Sequence, residues 1–219
     1  MRRLILLSTL LVHCVVSAQL RHGPRLGVSV ASQTAGALFR WSGLPKVGPI
    51  IGWSFDIPYT HQVGIRVEPM VMSKGSWTRN DALNQNSLVT LRYLELPVLV
   101  RLDLDTTRGG FFLNGGAIFG YWLSGKFVQK QGGSVVNEIT YDLSNANKRT
   151  QWSIALGLGS QAKAWSWEIR AQSSVDPFNT LIPSRSLVYA LHLTYWLPSN
   201  AERKAKRDAK AAAEGESTE

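Results

Sequence analysis

The chain has 219 residues, 24 Lys and Arg against 15 Asp and Glu, a formal net charge of +9 and 44 % apolar residues. Beyond the N-terminal segment no apolar run approaches the ~18 residues of a membrane-spanning helix, which excludes a helical membrane protein. The basic excess would suit a nucleic-acid partner, but the bases are scattered over strand-like segments and loops with no basic helix or run, and no nucleic acid is expected.

Residues 1–18 read as an export signal. Arg2 and Arg3 give a positive start, Leu4 to Val16 an apolar stretch, and Val16-Ser17-Ala18 the small residues of a cleavage site, so the mature chain is expected to begin at Gln19. The single cysteine, Cys14, lies inside this signal, and its neighbour His13 fits a lipoprotein cleavage site poorly. The mature chain is therefore expected to carry no disulfide and no thiol chemistry.

Eight strand-like segments follow, each with apolar and polar residues alternating. They run near Arg25–Ala31, Pro49–Ile57, His61–Lys74, Leu88–Leu104, Gly110–Leu123, Gln151–Ala162, Trp165–Gln172 and Ser186–Leu197. The pattern is plainest in the seventh, where Trp165, Trp167, Ile169 and Ala171 share one face and Ser166, Glu168, Arg170 and Gln172 the other. In the fourth, Leu94, Leu96, Val98, Val100, Leu102 and Leu104 oppose Tyr93, Glu95, Arg101 and Asp103. In the eighth, Leu187, Tyr189, Leu191, Leu193, Tyr195 and Leu197 fall together.

Several segments exceed the length of ordinary soluble strands and reach the ~9–11 residues that cross a bilayer at a tilt. Short connections at Pro58–Thr60, Thr106–Gly109 and Lys163–Ala164 alternate with long ones at Ser32–Gly48, Gly75–Ser87, Gly125–Thr150 and Val175–Arg185. Short turns at one rim and long loops at the other are the pattern of an outer-membrane barrel. The expected fold is therefore an all-β, eight-stranded antiparallel up-and-down transmembrane β-barrel over residues 19–198. The alternative is a secreted soluble barrel of the lipocalin type, binding a small apolar ligand. Residues 199–219 form a tail with five bases and five acids, expected to be solvated, helical or disordered, and periplasmic.

The parity assigns directions. Leu96, Val98, Leu156, Ile169 and Leu191 are expected to face lipid. Arg66, Glu68, Glu95, Arg101, Glu168 and Arg170 are expected to point inward and to pair, because an unpaired buried charge is costly. A structural plug of salt bridges is favoured over an ion path, since the interior of an eight-stranded barrel is filled by side chains. Glu168 is expected to partner Arg170 or Arg101. Pro69 and Pro97 would have to sit at a bulge or rim, as neighbours that bend the wall together. Most of the tryptophans are expected in interfacial belts. His22, His61 and His192 form no nucleophile–base–acid spacing, and no CxxC, HExxH, P-loop or calcium loop occurs, so neither an enzyme nor a metal or cofactor site is expected.

Arg92-Tyr93-Leu94-Glu95-Leu96-Pro97-Val98-Leu99 resembles a characteristic strand of the small outer-membrane β-barrel (porin-like) proteins abundant in Bacteroidota. Val67-Glu68-Pro69 with Lys74-Gly75 is similar to that family's preceding strand, and Leu26-Gly27-Val28 and Gly115-Gly116 also fit. The resemblance covers about Arg25 to Leu197. It implies an eight-stranded barrel in the cell outer membrane, in a family most of whose members have no assigned activity and one group of which, the PorT-like proteins, belongs to a secretion machinery. For an integral outer-membrane barrel a structural, adhesive or secretion-machinery role is expected. An outer-membrane location makes outer-membrane lipids including lipopolysaccharide, and the barrel-assembly machinery, the expected partners. The charged tail departs from the family pattern and offers a surface for a periplasmic partner.

Overall fold

In a computed structural model of the chain, which describes residues 20–35, 44–105, 110–140, 149–176 and 184–198, the alternation closes into a wall. The strands are β1 (Arg21–Ala35), β2 (Leu44–Pro58), β3 (Val63–Val67), β4 (Met70–Asn80), β5 (Gln85–Asp103), β6 (Gly110–Gln131), β7 (Ser134–Thr140), β8 (Thr150–Ala162), β9 (Trp165–Ser174) and β10 (Ser184–Tyr195). All pairings are antiparallel. β1 lies between β2 and β10, the order continues through β9, β8, β6 and β5, and β3 with β4 joins β5 back to β2. The ring therefore has eight staves, because β3 and β4 are two parts of one stave and β7 pairs with β6 beyond the end of β8, in the same stave as β8. The export signal expected at 1–18, the tail at 199–219 and the turn at Thr106–Gly109 lie outside the described residues.

The split stave has a local cause. Proline has no N–H to give to the ladder, so a strand can accommodate it only where that donor is not needed. Val67 pairs with Val98 and Met70 with Glu95, which sets Glu68 and Pro69 across from Pro97 and Leu96. The Glu68 amide donates to the Pro97 carbonyl at 3.1 Å, and the Trp53 amide to the Pro69 carbonyl at 2.9 Å. The two prolines are thus neighbours across one seam, and the wall stays bonded through them.

Two of the four expected long loops are largely sheet. β4 and β5 run on to Asn80 and Gln85, joined by a turn at 81–84 in which Asn84 takes φ 47°. Likewise β6 continues to Gln131 and returns as β7 through Gly132-Gly133, both at positive φ. Glycine takes that conformation without steric cost, and Gly-Gly fits a two-residue hairpin turn. These extensions project past the ring at the rim opposite the short turns, and β7 is exposed along its whole length.

Candidate functional site: the barrel interior and its outer wall

Side-chain polarity is inverted relative to a soluble protein. Leu96, Val98, Leu156, Ile169 and Leu191 stand exposed on the outer face, Leu156 at 74 % and Ile169 at 56 %. Ten charged residues are buried among the described residues: Arg25, Arg66, Lys74, Arg101 and Arg170 against Asp56, Glu68, Glu95, Asp103 and Glu168. This inversion runs against the lipocalin-type alternative, which needs an apolar interior and a wet outer face.

The six residues expected inside are all buried, but they do not form one cluster. Glu168 receives Arg25 Nη2 at 2.8 Å, Arg170 Nε at 2.7 Å and Arg66 Nη1 at 3.5 Å. Glu68 receives Arg25 Nη1 at 2.9 Å and Arg170 Nη2 at 2.7 Å. Two glutamates and three arginines from β1, β3, the proline seam and β9 thus form a central lattice. Of the two partners expected for Glu168, Arg170 is bonded to it and Arg101 is not; among the described residues Arg101 meets the lattice only through Asp56, whose Oδ2 lies 4.0 Å from Arg66 Nη2. Arg101 bonds Asp103 Oδ1 from Nε at 3.0 Å, Asp56 Oδ2 at 3.3 Å and Gln161 Oε1 at 2.8 Å. Glu95 forms a third group with Lys74 and with Gln172 Nε2 at 3.0 Å, and Lys74 Nζ also donates to Gln151 Oε1 at 3.2 Å.

Arg25, Asp56, Lys74 and Asp103 were absent from the expected network, although strand parity carries the signal. Toward the end of β2 the buried Ser54 and Asp56 alternate with Trp53 and Phe55 of the other face. The register shift around a closed wall, rather than parity, decides which inward charges meet.

Aromatic rings also lie against these cations. The Phe112 ring lies 4.8 Å from the Arg66 guanidinium carbon and 4.3 Å from that of Arg101. Arg66 also lies 5.2 Å from the Trp196 ring. Such contacts gain strength where water is excluded. Trp196 does not join an interfacial belt: it is buried at the short-turn rim, its Nε1 donating to Ser166 Oγ at 2.9 Å. Trp122 is also buried. Trp53, Trp165, Trp167 and Tyr195 near the short-turn ends, and Trp77 and Trp152 near the other rim, are exposed. Two outer aromatic girdles result, as expected at the two faces of a bilayer.

The bulk of the arginines is accommodated by small residues on β8. Its inward face carries Ser153, Ala155, Gly157 and Gly159. A Cβ at Gly157 would come within 2.5 Å of Glu168 Oε1, and one at Gly159 would collide with the Phe112 ring. His192 faces the same interior, paired across the ladder with Glu168. His22 stacks on Trp53 at 6.1 Å, and His61 is exposed. No helix among the described residues is long and apolar enough to cross a membrane, which says nothing of strands.

A family model described as an outer membrane protein beta-barrel domain matches residues 17–181. No curated protein matches the chain. Among solved structures, the chain is similar to Ail of Yersinia pestis, crystallised with the heparin analogue sucrose octasulfate, at 10 % identity and TM-score 0.47, covering 81 % of this chain and 99 % of that one. Neisserial surface protein A is similar at 11 % identity and TM-score 0.46, covering 80 % and 96 %. OprG of Pseudomonas aeruginosa is similar at 12 % identity and TM-score 0.38, covering 82 % and 95 %.

Proposed function

The chain belongs to the family of outer-membrane β-barrel domains, and from that premise we propose a structural, adhesive or secretion-machinery role at the cell envelope, with a side-chain-filled interior rather than an open pore. The observation that carries this reading is the composition of the interior: five bases and five acids, each no more than 4 % exposed. An aqueous channel would leave some of these groups wet. In this reading Arg66, Glu68, Glu95, Arg101, Glu168 and Arg170, with Arg25, Asp56, Lys74 and Asp103, act as a plug that fixes strand register. A shifted register would leave buried charges unpaired, which is strongly destabilising. Leu96, Val98, Leu156, Ile169 and Leu191 face lipid.

The role is non-enzymatic and lies at the long-loop rim, which faces the cell exterior. The β4–β5 and β6–β7 hairpins stand there as a sheet beyond the bilayer, longer than crossing requires. Residues 1–18 are removed on export, the barrel-assembly machinery inserts the mature chain, and residues 199–219 extend into the periplasm, where a partner meets them. Membership in the Bacteroidota-type group rests on the Tyr93-Leu94-Glu95-Leu96-Pro97 strand, and no residue singles out its PorT-like branch. The test is protease shaving of intact cells. Cleavage confined to the β6–β7 hairpin at Gly132-Gly133, with the protein in the outer-membrane fraction, is the expected result. Cleavage there only after lysis would overturn the orientation, and recovery in the soluble fraction would overturn the whole reading.

A further inference from the structure

Near the long-loop rim the outer wall changes from apolar to basic. Following the register up β4, β5 and β6, the outward face carries Val71 beside Leu94, then Ser73 beside Arg92. Above these come Gly75 beside Thr90 and Lys126, and then Trp77 beside Leu88 and Val128. Lys46 of β2 lies over this face. Its Nζ donates to Ser73 Oγ at 2.9 Å, and a Cβ at Gly75 would come within 3.1 Å of its Cδ. It sits in the field of the Arg92 guanidinium.

Among the described residues neither Lys46 nor Arg92 pairs with an acid. Five cations on this face, Lys46, Arg79, Arg92, Lys126 and Lys130, meet two carboxylates, and both are taken: Glu138 by Lys126 at 2.7 Å and Asp81 by Arg79 at 2.5 Å. By contrast, the fully buried charges among the described residues balance at five bases and five acids. Directly above the basic pair is an open groove of about 450 Å³, lined by Lys46, Trp77, Leu88, Val128 and Lys130 among others.

Two like charges side by side at the edge of a bilayer repel, and more strongly than in bulk water because the dielectric is lower. An anion between them removes that cost. Guanidinium and ammonium together suit phosphate: the first gives a planar pair of donors, the second a compact charge. An apolar groove flanked by a belt tryptophan suits a hydrocarbon chain, which a free phosphate does not have.

We propose that Lys46 and Arg92 hold the phosphate of an anionic outer-leaflet glycolipid, and that one acyl chain of the same molecule lies in the groove beside Trp77, Leu88 and Val128. This rests on the outer-membrane reading and on the long-loop rim facing outward, and it gives the lipid partner a defined site. The site is a lasting contact between barrel and leaflet, and lies outside the plugged interior.

The experiment is native mass spectrometry of the refolded full chain, released from micelles doped with diphosphoryl lipid A or with the same lipid stripped of its phosphates. The wild type should retain one diphosphoryl lipid A. Retention should fall at least about tenfold in Lys46→Gln/Arg92→Gln, the loss expected for charge-assisted hydrogen bonds. A Lys163→Gln control at the short-turn rim should retain lipid like the wild type. The stripped lipid should be retained by none of them. Equal retention by the double variant, or equal retention of stripped lipid by the wild type, overturns the site. Full displacement of the lipid by inorganic pyrophosphate would mean that the pair holds an anion and no lipid, which also overturns it. Heat-modifiable gel migration is run on every sample. Its loss in the wild type would sink the barrel reading itself, and its loss only in the double variant moves the comparison to Arg92→Gln alone.

Discussion

Glu168→Gln tests the plug most sharply, because it changes one charge and almost no volume. In the wild type Glu168 receives Arg25 at 2.8 Å, Arg170 at 2.7 Å and Arg66 at 3.5 Å, and all four side chains are at most 1 % exposed. The substitution leaves five interior bases against four acids and turns an NH₂ group toward guanidinium donors. Removing one member of a buried pair costs about 3–5 kcal/mol, mainly because the remaining charge is uncompensated. Arg25→Gln in the same chain restores the balance at four and four. The double variant should therefore be less destabilised than the sum of the two single variants, with a coupling on the order of 1–3 kcal/mol. Unfolding by denaturant in lipid vesicles, followed by tryptophan fluorescence and checked by heat-modifiable migration, measures all four corners of the cycle. A loss below about 1 kcal/mol for Glu168→Gln would refute the reasoning, since such a value is typical of an exposed pair. Strict additivity would refute it as well.

Three further outcomes follow from the same geometry. Val98→Arg and Ile169→Arg, on the exposed apolar face, should each cost about 2–4 kcal/mol of stability in vesicles; harmless variants would mean that this face does not meet lipid. Gly157→Val places a branched side chain where even a Cβ lies 2.5 Å from Glu168 Oε1, and should cost about 1–3 kcal/mol in the same unfolding assay, whereas wild-type stability would show that the lattice can yield. A stop codon after Pro198 should leave a heat-modifiable barrel in the outer membrane, while one after Thr194 should abolish it. The second removes Trp196 and Leu197, whose amides donate to Ala164 and His22 at 2.7 and 2.9 Å, and identical behaviour of the two truncations would contradict the role given to the end of β10.

The wall was legible in the sequence because alternation is a local signal. Wherever one face is exposed and the other buried, as in Leu94 to Asp103 or Trp165 to Gln172, the parity of each residue follows without knowledge of its neighbours. The hairpin extensions were not legible, because a strand exposed on both faces has no reason to alternate. β7 is exposed at every position, and Arg79, Asn80, Gln85 and Asn86 read as loop although they pair across the β4–β5 ladder. Leu187 shows the limit of parity even in a recognised strand: it shares the outward set with Tyr189 and Leu191 but is buried.

The site was half legible. Which charges point inward follows from parity, and the same rule would have added Asp56 and Asp103. Which of them meet does not, because partners such as Arg25 and Glu168 are 143 residues apart and are brought together by the closure of the ring. The buried aromatics Phe112 and Trp196 were missed for a related reason. A ring at the edge of a strand reads as a belt residue until the rim's geometry turns it inward.

The proposed plug of balanced charges would leave this outer-membrane barrel non-conducting. The most direct test is recording from the refolded wild-type protein in planar lipid bilayers under molar KCl and a sweep of voltage. A flat trace is expected once insertion has been verified by protease protection of the bilayer-embedded strands. Reproducible discrete conductance steps, altered in size by Glu168→Gln, would contradict the plug, because they would require a continuous water path past Arg25, Glu68, Glu168 and Arg170.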